Sequence, residues 1–248
     1  MKPKKKFAVL LAGMLREFDY AYQSWPWLNC DDCDVFVSTW DMAYETNEFL
    51  NIDIKEEITN NKILEIFPNA IINIESEIGI ELQNSEKQLY HWKKLFDMVE
   101  KSDYEYDGVI LTRSDLYLEV NNNKFLELFD NLKNEWIYAL GGIVQFPPPE
   151  LTFVQDLLFI GKFETIKKNL MDFPHGNFNI KNMHYWLAKH LVLNDIYVSS
   201  LMPDIIKNYC VLRSVCREYV KYQNTYELRE LSEDWYAKKH TPHLFKMI

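Results

Sequence analysis

The stretch 104–120, Tyr-Glu-Tyr-Asp-Gly-Val-Ile-Leu-Thr-Arg-Ser-Asp-Leu-Tyr-Leu-Glu-Val, sets the firmest limit on what this chain can fold into. An apolar run at Val109, Ile110 and Leu111 meets Thr112, Arg113, Ser114 and Asp115 before apolar residues resume at Leu116. Such a run fits a buried central strand, so the charged break belongs at the strand's end. If the backbone stays extended through the break, side chains alternate and Arg113 and Asp115 share a face about 7 Å apart. A cation and a carboxylate so placed can hold an anionic group and a metal ion. A strand that simply ends in a polar turn is the competing reading.

The pattern has a partner at the start of the chain. Residues 7–12, Phe-Ala-Val-Leu-Leu-Ala, form a second apolar strand that stops at Gly13, with Arg16 close behind. In an open parallel sheet ligands bind beyond the carboxyl ends of strands, and a glycine there lets a phosphate approach backbone amides. Gly13 and Arg16 are therefore candidate phosphate contacts, although a turn glycine and a surface charge explain the residues equally well. The run 34–41, Asp-Val-Phe-Val-Ser-Thr-Trp-Asp, becomes polar as it ends. It offers Trp40 as an exposed aromatic for a base, or as core, and Asp41 as an acceptor for a base or ribose.

Residues 45–61 read as a polar loop and helix, 62–67 as a short helix and 70–74 as a strand. The helix at 85–101 has the clearest pattern: Leu89, Trp92, Phe96 and Val99 share one face, and Ser85 and Gln88 stand at capping-box spacing. Gln88 and Lys93 lie off that face. A helix at 124–132 and a strand at 136–140 follow, then a loop stiffened by Pro147, Pro148 and Pro149. Asp156 precedes an apolar strand that stops at Gly161, and helices at 162–172 and 183–193 lead to a strand at 196–201. Strands alternate with helices, which predicts an α/β fold with a mostly parallel central sheet flanked by helices. The chain reads as one domain over 1–248, with a core of about 7–203 and a helical or irregular C-terminal extension at 204–248.

Composition narrows the partners. A net charge of −10 gives no general attraction to nucleic acid or to anionic membrane, so an anionic ligand needs a local cationic pocket. No stretch is long enough to span a bilayer, and a cytoplasmic location is the expectation. Cys30 and Cys33 form a Cys-x-x-Cys, but Asp31, Asp32 and Asp34 around it disfavour a thiolate. Cys210 and Cys216 are spaced poorly for a four-ligand zinc site, so all four read as structural thiols. His184 and His190 differ by six positions and face different sides of a helix. The His240-Thr-Pro-His243 pair sits in a turn or arm.

Four segments, in this order, carry a family resemblance: Ala-Gly-Met-Leu-Arg at 12–16, the strand 34–41, Asp-Gly-Val-Ile-Leu-Thr-Arg-Ser-Asp at 107–115, and Gln-Asp-Leu-Leu-Phe-Ile-Gly at 155–161. The chain resembles small nucleotide-sugar-dependent glycosyltransferases of the GT-A fold, of the kind found in bacterial polysaccharide clusters and large DNA viruses. The resemblance covers roughly residues 7–200 and implies a GT-A-like, Rossmann-like domain. It implies a UDP-, GDP- or TDP-sugar donor, and a glycan or glycoprotein acceptor. Gly13 and Arg16 would face the nucleotide, with Trp40, Asp41 and Arg113 also on the donor side. Asp115 stands where the family's Asp-x-Asp motif has its last carboxylate and would hold Mn2+ or Mg2+. Arg113 replaces the first carboxylate, which departs from the motif. Asp156 stands where many inverting members place the base that deprotonates the acceptor hydroxyl. The alternative is a non-catalytic relative that binds a glycan or a protein.

Overall fold

The apolar run at the start lies in β1 (Lys4–Ala12), and its alternation explains its central place. Phe7, Val9 and Leu11 enter one core layer, while Ala8, Leu10 and Ala12 enter the other. A strand buried on both faces belongs inside a sheet. The computed structural model describes residues 4–29, 32–47, 52–82, 84–140, 143–146, 151–154, 157–171, 183–202 and 204–211. Along the chain the elements after β1 are α1 (Phe18–Ala21), β2 (Cys33–Trp40), β3 (Met42–Asn47), β4 (Ile52–Glu57), α2 (Asn60–Ile66) and β5 (Ile71–Glu75). Next come α3 (Asn84–Lys101), β6 (Glu105–Thr112), β7 (Leu116–Val120), α4 (Asn122–Asp130), β8 (Trp136–Ala139), β9 (Ile143–Phe146) and β10 (Leu151–Val154). The last are β11 (Leu158–Lys162), α5 (Phe163–Met171), α6 (Met183–Leu193), β12 (Tyr197–Ser200) and β13 (Ile206–Val211).

The central sheet has seven strands in the order β12-β8-β11-β6-β1-β2-β5. Every neighbouring pair is parallel except those made by β11, which runs antiparallel to β6 and to β8. The fold is therefore α/β with a mostly parallel central sheet flanked by helices, as the alternation of patterns predicts. On one face α3 contributes Leu89, Trp92, Leu95, Phe96 and Val99, joined by Leu187 and Leu191 of α6. Burying each of these side chains contributes roughly 1.5–3 kcal/mol, which is why the apolar stripe decides where α3 lies. The other face takes Trp25, Trp27, Ile63 and, from α4, Phe125 and Phe129.

Three expectations are corrected. Residues 42–47 and 52–57 are strands and not helix; β3 and β4 pair antiparallel from Met42 opposite Glu57 to Asn47 opposite Ile52. That hairpin satisfies its own backbone ladder, and Ala43 of β3 is buried in the core. The backbone does not stay extended through 113–115: β6 stops at Thr112, Ser114 and Asp115 form a turn, and β7 leaves the central sheet. The extension beyond residue 203 opens with β13, which pairs antiparallel with β7 and sets Val211 opposite Leu116. Residues 212–248 lie outside the described residues. No helix among the described residues is long and apolar enough to cross a membrane.

Candidate functional site

Because β1, β2, β5 and β6 run parallel, their carboxyl ends share one edge of the sheet. The loops leaving them enclose a cleft of about 280 Å³. Ala12, Gly13, Met14 and Arg16 line it from the loop after β1, and Arg113, Ser114 and Asp115 from the turn after β6. Trp40, Tyr44, Glu77, Lys87 and Gln88 complete it from the β2, β5 and α3 side. Gly13 has φ 88°, a conformation that L side chains rarely adopt, so the loop after β1 requires glycine there.

Two arginines and one acid make the first wall. Arg113 donates to Asp115 through Nε at 2.8 Å and through Nη2 at 2.7 Å, a two-pronged charge-assisted pair. Arg16 brings Nη2 to 3.8 Å from the same carboxylate. Asp115 is only 2% exposed, whereas the side chains of Arg113 and Arg16 are 25% and 26% exposed. The carboxylate is thus buried behind two cations that reach the surface. Ser114, itself buried, fixes the two loops together by donating to the carbonyls of Met14 at 3.0 Å and Arg16 at 3.4 Å. The backbone N–H of Arg113 donates to the carbonyl of Leu157 at 3.3 Å, tying the turn to β11's threshold.

The opposite wall is neutral in sum. Glu77 accepts from the Tyr44 hydroxyl on both oxygens, at 3.2 and 3.1 Å, and pairs with Lys87. Both charged side chains are about a fifth exposed, 18% for Glu77 and 21% for Lys87. Burial, followed by the charge of Glu77, pushes the Tyr44 phenol up. The hydrogen bond to Glu77 does the same for the Lys87 ammonium. Tyr44 and Lys87 therefore both keep their protons at neutral pH.

Aromatic and imidazole rings support this wall from below. Trp40 is stacked on Tyr90, with ring centres 5.7 Å apart and planes 11° apart, and meets His91 edge-on at 4.3 Å. His91 is fully buried, its Nδ1 2.8 Å from the Ser38 hydroxyl, which also accepts from Asn73 at 3.3 Å. Burial lowers the His91 pKa to about 4, so the ring is neutral. Nearby, burial raises the Glu75 carboxyl, but hydrogen bonds from Tyr90, Asn73 and Lys94 prevail and bring it to about 2.

The cleft gathers Gly13, Arg16, Trp40, Arg113 and Asp115 from the residues singled out in the sequence. Gln88 joins them, and Lys93 is exposed elsewhere. Trp40 is 2% exposed, so of its two readings the core one holds, and the ring lines the cleft with support from below. Asp41 does not line it; its backbone links the Glu75 carbonyl and the Ile58 amide at 2.9 and 2.8 Å. Asp156 lies outside the described residues, as do Pro147 to Pro149, Cys30, Cys216, His240 and His243. Sequence reasoning missed Tyr44, Glu77 and Lys87. The only signal for Lys87 was its place in the first turn of the helix beside Gln88.

The donor set fits a divalent cation poorly. Mg2+ and Mn2+ require several oxygen ligands in close array. Both oxygens of Asp115 already accept from Arg113, and a second guanidinium stands beside them. The other described carboxylate of the lining, Glu77, is engaged by Lys87 and Tyr44. Among the described residues no group of three or more His, Cys, Asp or Glu side chains is placed to hold a metal ion.

Comparison with known proteins gives a mixed outcome. No protein-family model matches the chain. The apo form of the glycosyltransferase GlyE of Streptococcus pneumoniae TIGR4 is similar over 79% of this chain, at 14% identity and a TM-score of 0.46. Residues 1–349 of S. aureus TarS are similar over 81%, at 13% identity and a TM-score of 0.44. The chain spans 45% of the GlyE chain and 59% of the TarS chain. At TM-scores below 0.5 these are likenesses from which no activity follows. An 86-residue stretch, 34% of this chain, is 30% identical to the N(2)-fixation sustaining protein CowN of Arcobacter nitrofigilis and covers 82% of that protein.

Proposed function

We propose that this chain is a glycosyltransferase that moves a sugar from a nucleoside-diphosphate sugar to a hydroxyl on a glycan or glycoprotein. One observation carries the reading: Arg16 and Arg113 converge on one buried carboxylate at the carboxyl edge of a parallel sheet. Open α/β sheets bind nucleotides at that edge, and exposed guanidiniums there suit a diphosphate. A local cationic wall in a chain of net charge −10 is what an anionic donor needs.

In the proposed transfer the bond between the sugar's anomeric carbon and the phosphate oxygen breaks. Its electron pair stays on the departing nucleoside diphosphate, and cationic donors offset the charge that builds there. The acceptor oxygen bonds to the anomeric carbon and gives its proton to a carboxylate. Asp156 is the residue proposed for that carboxylate, and inversion at the anomeric carbon is the stereochemical outcome proposed with it. The donor is a UDP-, GDP- or TDP-sugar, and the chain is proposed to act as one domain in the cytoplasm.

Incubating the full chain with a panel of nucleotide sugars and measuring release of the nucleoside diphosphate tests the reading. The expected result is slow hydrolysis of at least one donor, with Asp156→Asn reducing transfer by roughly 10²–10⁴-fold. Absence of both binding and turnover across the panel sinks it. Tight binding with no release identifies a non-catalytic binding module instead.

A further inference from the structure

We infer that Arg113 and Arg16 serve the diphosphate in place of a divalent cation, with Asp115 as the positioning residue that holds both guanidiniums. The inference rests on the reading of the cleft as a nucleotide-sugar site. Its ground is the order of the charges from inside to outside. Asp115 is 2% exposed while the two arginines are each about a quarter exposed, so the surface that meets a ligand is cationic.

A metal ion would have to enter that arrangement backwards. It would displace the two hydrogen bonds from Arg113 to reach the carboxylate, and would then stand beside two like charges. A diphosphate leaves the hydrogen bonds between Arg113 and Asp115 in place. It approaches from the cleft, where the arginines already lie, and leaves Asp115 behind them. The fork between Arg113 and Asp115 also fixes the plane of the guanidinium, so little side-chain freedom remains to be lost on binding. Ser114 adds the second constraint. Its hydroxyl bonds the carbonyls of both Met14 and Arg16, which keeps the loop carrying Arg16 against the turn carrying Arg113. As the sugar–phosphate bond breaks, the electron pair stays on the diphosphate and the guanidinium N–H groups donate to it.

Calorimetric titration of the full chain with UDP, GDP and TDP, once with EDTA and once with Mn2+, tests the inference. At least one nucleoside diphosphate is expected to bind in EDTA, with an affinity within about threefold of that in Mn2+. Arg113→Ala should weaken that binding by about tenfold or more while leaving the unphosphorylated nucleoside unaffected. Arg113→Lys should restore part of the loss, since charge returns without the fork. Asp115→Asn should weaken binding in EDTA and in Mn2+ by the same factor, as a positioning role requires. Binding that appears only with Mn2+ and vanishes in Asp115→Asn overturns the inference and leaves the nucleotide-sugar reading standing. No binding of any nucleoside diphosphate under either condition overturns both. The wild-type comparison needs no variant, so a substitution that fails to fold does not blunt the test.

Discussion

The two walls of the cleft use the same kinds of charge in opposite arrangements. On the first, one buried acid anchors two partly exposed arginines, and the wall is cationic where a ligand meets it. On the second, Glu77 and Lys87 neutralise each other at similar depth, with Tyr44 bridging the acid. What differs is where the carboxylate lies. A buried acid under cations makes an anion site, whereas an acid and a base side by side make a polar but neutral surface. The first wall therefore suits a diphosphate, and the second suits an uncharged part of the same ligand.

The largest expected effect separates the walls by stability. Asp115→Ala leaves two arginines without their buried partner and should lower the unfolding free energy by about 3 kcal/mol. Glu77→Ala, on the more open wall, should cost about 1 kcal/mol or less. Urea unfolding of both variants measures this, and equal losses would erase the distinction. The support beneath the second wall makes a pH test. Folded His91 stays neutral down to about 4, while the unfolded ring takes a proton below about 6.5. Between those values the unfolded chain binds more protons, so stability falls as pH falls. From pH 7 to pH 5 the loss should be about 2 kcal/mol, and His91→Gln should flatten it. Glu75, held near 2, adds its own loss only below 4.5.

Smaller effects sharpen the picture further. Added salt should weaken binding of the nucleoside diphosphate and leave the bare nucleoside almost unchanged, because screening acts on the cationic wall alone. Tyr44→Phe removes the bridge to Glu77 and should cost about 1 kcal/mol of stability, with a far smaller loss of diphosphate affinity than Arg113→Ala. A salt-sensitive nucleoside, or a Tyr44 variant that loses the diphosphate, would assign the phosphates to the wrong wall.

Much of the frame was legible in the sequence because burial leaves a pattern. The runs at 7–12 and 109–111 fit buried strands, and α3 announced itself by the spacing of Leu89, Trp92, Phe96 and Val99. The hairpin of β3 and β4 was not legible, since what defines it is backbone pairing between 42–47 and 52–57, which leaves no periodic signal in a polar stretch. Arg113 and Asp115 were found, but their relation was not. Strand geometry separates them by about 7 Å, whereas the turn at Ser114 brings their side chains into direct contact. Glu77, Lys87 and Tyr44 stayed hidden because their contacts span 10 and 33 residues and join α3 and β3 to the segment after β5. Trp40 could be read as exposed or as core, and its burial against Tyr90 and His91 decides for the second.

A crystal structure of the chain soaked with whichever nucleoside diphosphate binds it tests the central claim most directly. The diphosphate should lie within hydrogen-bonding distance of the Arg113 and Arg16 guanidiniums, with Asp115 still paired behind them. A diphosphate seated on Lys87, or one that reaches the first wall only through a metal ion on Asp115, would contradict it.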